Sequence, residues 1–244
     1  QHLINTTQNF KQSKRIIVVG YKSNLVKSQI KTTENIDWVR QNKQLGTAHA
    51  VKQAIPSLRR GSIAVILYGD VPLVSPATLK RLISQAKNNN LALLTFKKDN
   101  PTGYGRVLRG SKNAIHQIIE EKDADQSQKK IQEVNSGIMA IKSHSLAKLI
   151  GMIKNKNAAK EYLLTDIVEM ANKNKIGVKA LLLKNSYEVL GANNLQELHD
   201  LERAHQKKLA EGLIKAGVSV SDSSRIDIRG EIAVGKGSFI DVNT

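Results

Sequence analysis

Asp70 is the first residue in this 244-residue chain to suggest chemistry. It ends the apolar run SIAVILYG and stands two residues before Pro72. A hard oxygen donor placed so suits Mg2+, which takes one or two carboxylates and fills its shell with water and substrate phosphates. An aspartate before a turn also serves as a turn cap, and the local context leaves both roles open. Upstream, VRQNKQLGTAHAV puts Gly46 and Thr47 at a helix start. Backbone N–H groups and the positive helix end there favour an anionic or polar ligand, although Gly-Thr opens many ordinary helices. Downstream, PTGYGR supplies glycines that let backbone approach a ligand closely, or form only a hairpin loop.

These residues need a frame. RIIVVG (15–20), IDWVRQ (36–41), SIAVILYGD (62–70) and LALLTF (91–96) read as short buried strands. Helices are expected over GTAHAVKQAI (46–55) and from a Ser75 cap to about Lys87. Strands alternating with helices imply an α/β fold with a mostly parallel sheet and helices on both faces. Ligands in such sheets bind at the carboxyl ends of strands, where Asp70 stands. Further strands are expected over AIHQII, VNSGIMAI and VKALLL, and an amphipathic helix over EYLLTDIVEMANKN (161–174). From Asn193 to Gly217 a long helix is expected, with Leu195, Leu198, Leu201, Leu209 and Leu213 near one face. Beyond it, Ile228, Val234 and Ile240 recur every six residues, the mark of a β-helix. Three boundaries follow: 1–192, a linking helix over 193–217, and a β-helix beginning over 218–244.

Composition narrows the classes. The chain lacks cysteine, so disulfides and thiolate chemistry are excluded. No apolar run is long enough for a membrane span, and no secretory signal opens the sequence. A reducing, cytoplasmic home is compatible with this. The formal charge of +17 raises the question of nucleic acid. The lysines are scattered and the aromatics do not interleave with them, so a solvated lysine surface accounts for the charge.

Taken in order, QxxQLGTxHA, LYGDVPL, DxPTGYGR, EEKDA, QExNSGI, EYLLTDI and GxNN resemble one family from end to end. It is the uridylyltransferase domain of the bacterial bifunctional N-acetylglucosamine-1-phosphate uridylyltransferase and glucosamine-1-phosphate acetyltransferase. The resemblance implies a Rossmann-like nucleotidyltransferase fold, a long linking helix and the start of a left-handed β-helix. It implies uridylyl transfer from UTP to N-acetylglucosamine 1-phosphate, giving UDP-N-acetylglucosamine and pyrophosphate for cell-wall precursors. The longer protein would also acetylate glucosamine 1-phosphate from acetyl-CoA and form a homotrimer through its β-helix. Neither nucleic acid nor membrane would be a partner.

Residue by residue, the resemblance implies that Gln41 reads the uracil edge and that Gly46 and Thr47 contact the nucleotide. Tyr68, Gly69 and Asp70 would line the sugar-nucleotide pocket. Asp70 and Asn193 would hold Mg2+. Gly105, Glu120 and Asn135 would hold the sugar, with Glu121 as the alternative to Glu120. No acid/base residue is implied, because the attacking sugar phosphate is already an anion. His49 therefore reads as a packing or solvent residue, and Arg106 and Lys122 as structural. The family opens on a strand and a Gly-rich, arginine-bearing loop that this sequence does not contain. The chain is accordingly expected to be a fragment at both ends and inactive alone. A non-catalytic nucleotide-sugar binding module is the alternative.

Overall fold

The apolar, β-branched runs become strands, and polar loops with capping residues separate them. The computed structural model describes residues 1–31, 35–192 and 194–242. The strands are β1 (Arg15–Val19), β2 (Ile36–Arg40), β3 (Ile63–Ile66), β4 (Leu91–Lys97), β5 (Arg106–Arg109), β6 (Ile115–Ile119), β7 (Glu133–Lys142), β8 (Val178–Leu183), β9 (Ser219–Val220) and β10 (Phe239–Ile240). The helices are α1 (His2–Gln8), α2 (Ser23–Ser28), α3 (Thr47–Ala54), α4 (Pro76–Ala86), α5 (Ser143–Ile150), α6 (Ile167–Lys173) and α7 (Leu195–Lys215). The chain divides into two units, Gln1–Val189 and Leu190–Thr244.

In the first unit, the main sheet has the order β6-β5-β7-β4-β8, and β3 also pairs with β7. The strand β7 is antiparallel to β3, β4 and β5, and β6 is antiparallel to β5. Since β4 and β8 are parallel, four of these six strands (β3, β4, β5 and β8) run the same way. The strands β1 and β2 form a separate parallel pair.

Alternation along β4 explains why its apolar run is buried throughout. Leu91 and Leu93 join Met139, Ile141, Leu146, Leu149, Ile167 and Val168 in the core beneath α3, α5 and α6. Leu94 and Phe96 lie outside that cluster and are fully buried, as are Leu82 and Ala86 of α4, which packs on β4 and β7. Helices thus cover both faces. The Ser75 hydroxyl accepts from the Thr78 N–H at 3.2 Å, capping α4.

Two expected elements are shorter. The strand before Asp70 stops at Ile66, and residues 68–71 form a turn in which the Val71 N–H donates to the Tyr68 carbonyl. The helix expected over 161–174 spans only Ile167–Lys173, behind a 3-10 turn at Leu164–Asp166. Backbone bonding holds the first residues out of it: the Tyr162 N–H donates to Leu45 O and the Ala48 N–H to Tyr162 O, both at 2.8 Å.

In the second unit, Gly217 ends the long helix at φ +91°. The Val218 N–H returns to Leu213 O, the bonding of a left-handed cap. Only part of the leucine stripe is covered: Leu201 is buried and Leu209 and Leu213 are half-buried. Leu201, Gln206 and Ala210 are buried, whereas Leu195 is 85% exposed and Leu198 is also exposed. Gln206 is buried where it holds the backbone of one residue: its Oε1 accepts from Ile228 N at 2.7 Å and its Nε2 donates to Ile228 O at 3.1 Å. Of the six-residue repeat, Ile240 lies in β10, paired in parallel with Val220 of β9. Ile228 and Val234 lie outside strands.

Candidate active site

Topology gathers the residues expected at the sugar end. Gly105 precedes β5, Glu120 follows β6, and Asn135 stands near the start of β7. Because β5 is antiparallel to both β6 and β7, these three positions share one end of the sheet, where Arg106 faces Ile119 and Val134. A Cβ on Gly105 would come within 2.9 Å of Ile118 and 3.5 Å of Glu120, so glycine is what lets this backbone lie against the carboxylate. The Gly105 carbonyl accepts from Asn135 N–H at 2.9 Å. Asn135 is buried, and its Oδ1 has no hydrogen-bond partner among the described residues. A buried acceptor left open is costly unless a ligand or an ordered water fills it.

The two neighbouring glutamates separate. Glu121 bonds to the buried Arg106 guanidinium at 2.6 Å, and this contact holds its carboxyl below the ordinary range. Arg106 also donates to the carbonyls of Tyr104 and Lys129. Glu120 faces the other way, toward Gly105, and its Oε1 accepts from the Thr165 hydroxyl at 2.8 Å.

A bulge in β7 opens room beside these residues. Leu93 pairs with Met139 but Thr95 pairs with Asn135, so β7 carries the extra residues. The Ser136 hydroxyl donates to Leu94 O at 2.7 Å and accepts from Ile138 N–H, repairing the interrupted ladder. Gly137, at φ +80°, leaves the space that the Tyr68 ring occupies; a Cβ there would lie 2.7 Å from that ring. Burial pushes the Tyr68 hydroxyl up to about 12, and the charges of Glu120 and Asp70 act in the same direction, against a hydrogen bond with Thr47.

Gly46 and Thr47 join this end to the Gln41 end. Gly46 has φ +109°, and a Cβ would lie 2.5 Å from Tyr162 O. Thr47 Oγ1 accepts from Leu164 N–H at 2.9 Å. The Gly46 carbonyl accepts from Gln41 Nε2 at 3.1 Å. Gln41 lies just past β2 and lines a cavity of about 390 Å3 with Gly20, Lys22, Arg40 and Gln44. Gln44, part of the QxxQLGT motif but given no role by the sequence, is a second amide on this cavity; it lies three residues on, and its Nε2 donates to Gln41 O at 3.3 Å.

A second cavity, of about 230 Å3, is lined by Glu120, Asp123, Lys156, Thr165, Asp166 and Glu169, among others. Burial, then repulsion from Glu169, Glu120 and Asp123, raises the Asp166 carboxyl to about 6. Thr165 and Asp166 were also missed, because their stretch was read as plain helix.

Asp70 and Gly69 are exposed in the turn after β3. No ion pair or hydrogen bond among the described residues engages the Asp70 carboxylate, and no cluster of three His, Cys, Asp or Glu able to hold a metal occurs among them. One free carboxylate fits a cation that takes its other ligands from water and phosphate. Asn193, the second expected metal ligand, lies outside the described residues.

The chain is 44% identical over 242 residues to a protein of Dechloromonas aromatica named Bifunctional protein GlmU, covering 99% of this chain and 53% of the relative. A protein of the same name from Nitrosomonas eutropha is 41% identical over 243 residues, again 99% and 53%. The chain thus spans about half the length of the curated relatives it matches. Among solved structures, UDP-glucose pyrophosphorylase complexed with UDP-glucose superposes with a TM-score of 0.65 at 14% identity, covering 84% of this chain and 85% of that one. A putative glucose-1-phosphate thymidylyltransferase from Bacillus anthracis gives 0.63 at 15% identity, covering 82% and 79%. At such identities the shared property is the nucleotidyltransferase fold. The sequence profile described as Nucleotidyl transferase matches residues 1–208, and this chain belongs to that family.

Proposed function

We propose that the protein of which this chain is part transfers a uridylyl group from UTP to N-acetylglucosamine 1-phosphate, releasing pyrophosphate. The observation that carries this reading is the meeting of Gly105, Glu120 and the open Asn135 acceptor at one sheet end, with Gln41 linked to them through Gly46 and Thr47. The ordered motifs and the relatives named Bifunctional protein GlmU support it.

The sugar phosphate oxygen attacks the α-phosphorus in line and the bond to pyrophosphate breaks. The nucleophile is already anionic, so positioning and charge neutralisation do the work. Glu120 accepts from sugar hydroxyls while Thr165 fixes its other oxygen. Asn135 Oδ1 takes a further sugar donor. Gly105 keeps backbone close to the sugar, and the Tyr68 ring forms a wall. Gln41 reads the base. Asp70 and Asn193 would hold Mg2+, which when bound neutralises phosphate oxygens. In the longer protein, residues 218–244 begin the acetyltransferase β-helix, through which a trimer forms in the cytoplasm.

The test is pyrophosphate release from UTP and N-acetylglucosamine 1-phosphate with Mg2+, using this chain beside one of its relatives' full length. Release by the longer chain that requires both substrates is expected. Binding of UDP-N-acetylglucosamine without release by either chain would replace this reading with a binding module.

A further inference from the structure

Two amides converge on one imidazole, and they cannot both donate to it. Gln41 Nε2 lies 3.1 Å from Gly46 O and 3.0 Å from His49 Nδ1. Gln53 Nε2 lies 3.2 Å from His49 Nε2 and 3.3 Å from His49 O. A neutral imidazole has one donor and one acceptor nitrogen. A carbonyl can only accept, so the end of the Gln41 amide that faces Gly46 is its NH2. The second hydrogen of that NH2 then points at His49 Nδ1, which must carry a lone pair. The His49 proton is therefore on Nε2.

Gln53 yields in this conflict, for physical reasons. Gln41 is only 9% exposed and is tied to the backbone of the glycine that Tyr162 locks in place. Gln53 is less buried and its contacts are longer, so its amide turns to accept the Nε2–H and gives up its 3.3 Å bond to His49 O.

We infer that His49 is a positioning residue that locks the amide orientation of Gln41 and thereby makes the chain select uracil over cytosine. This rests on the reading of Gln41 as the base reader. With its NH2 held by Gly46 and His49, Gln41 keeps its Oε1 free; no hydrogen bond among the described residues ends on it. A fixed acceptor meets the N3–H of uracil but opposes the N3 lone pair of cytosine. A rotatable amide would greet either base, because turning it exchanges acceptor for donor. Selectivity comes from forbidding that turn. The histidine in LGTAHA then has a task that packing alone does not describe.

Two measurements test it on the intact chain. The ring-nitrogen NMR spectrum of His49 near neutral pH reports the tautomer without any ligand. Protonated Nε2 with bare Nδ1 is expected, and a protonated Nδ1 overturns the inference. Equilibrium binding of UTP and of CTP measures selectivity. Wild type should prefer UTP by about tenfold or more, the cost of one hydrogen-bond partner left unpaired. His49→Phe should reduce that preference several-fold. His49→Asn, whose amide oxygen takes the place of Nδ1, should restore most of it. An unchanged ratio in a folded His49→Phe overturns the inference. A wild type that binds UTP and CTP equally overturns the assignment of Gln41 as base reader, and with it this consequence, whereas the tautomer reports on the lock itself.

Discussion

The cavity beside Gln41 and the cavity beside Glu120 have opposite linings. The first is lined by amides and cations, with Gln41 and Gln44 beside Lys22 and Arg40. The second is lined by carboxylates, with Glu120, Asp123, Asp166 and Glu169 around a single lysine, Lys156. An amide presents one donor end and one acceptor end, so it carries information only when its orientation is fixed. A carboxylate accepts at every lone pair, so it needs only to be aimed and kept ionised. The first cavity therefore invests in locks, namely Gly46 O and His49. In the second, one bond from Thr165 aims Glu120, while repulsion among the crowded carboxylates works against ionisation and raises Asp166.

The joint between the two regions gives the largest expected effect. Gly46→Ala would force a Cβ to 2.5 Å from Tyr162 O at φ +109°. A loss of about 3 kcal/mol or more in urea unfolding is expected, and UTP and sugar-phosphate binding should fail together. Loss of only one would show that the regions are not joined through Gly46.

Asn135→Ala sharpens the sugar side. Its open Oδ1 makes no internal bond, so unfolding should change by less than about 0.5 kcal/mol while affinity for N-acetylglucosamine 1-phosphate falls by roughly tenfold or more. Equal affinity in calorimetry would remove Asn135 from the site. Thr165→Val should cost about 1.5 kcal/mol in sugar-phosphate binding, the value of a hydrogen bond to a charged group. UTP affinity should hold, and Thr165→Ser should recover the loss.

The smallest effect concerns pH. Asp166 keeps its proton to about pH 6 when folded but only to about 3.8 when unfolded. A carboxyl whose folded value is raised stabilises below the unfolded value, and that contribution disappears as pH rises through 6. Asp166→Asn, which stays neutral, should gain on the order of 1 kcal/mol over wild type at pH 7.5, after discounting for half-exposure, and nothing at pH 3.5. Urea unfolding at the two pH values checks this; a gain that is the same at both would refute it.

Much of this was written in local sequence. The runs IIVV, IAVI and LALLTF announced strands through β-branched and leucine side chains. Ser75 announced a helix start through its hydroxyl, and Gly217 a helix end through its freedom at positive φ. Asp70 stood out because a carboxylate ended an apolar run, whereas Glu120 and Asn135 were singled out only by the resemblance of their motifs. The leucines of α7 were only a partial guide, because periodicity says which residues share a face but not how far that face is covered: Leu201 is buried, Leu195 and Leu198 are exposed, and Gln206 is buried through its bonds to the Ile228 backbone. The stretch 161–174 misled because its helical period ignores backbone bonds that Tyr162 makes with residues more than a hundred positions earlier.

The sequence by itself determined the strands, the caps, the polar residues at strand ends and the family they belong to, since each depends on near neighbours. Only the tertiary structure decided which glutamate faces Gly105, that Asn135 Oδ1 stays open, and that His49 meets Gln41. Those are choices of direction among side chains of similar type. Direction is fixed by contacts such as Arg106 with Glu121, Thr165 with Glu120 and Gly46 with Tyr162, which chain order alone does not encode.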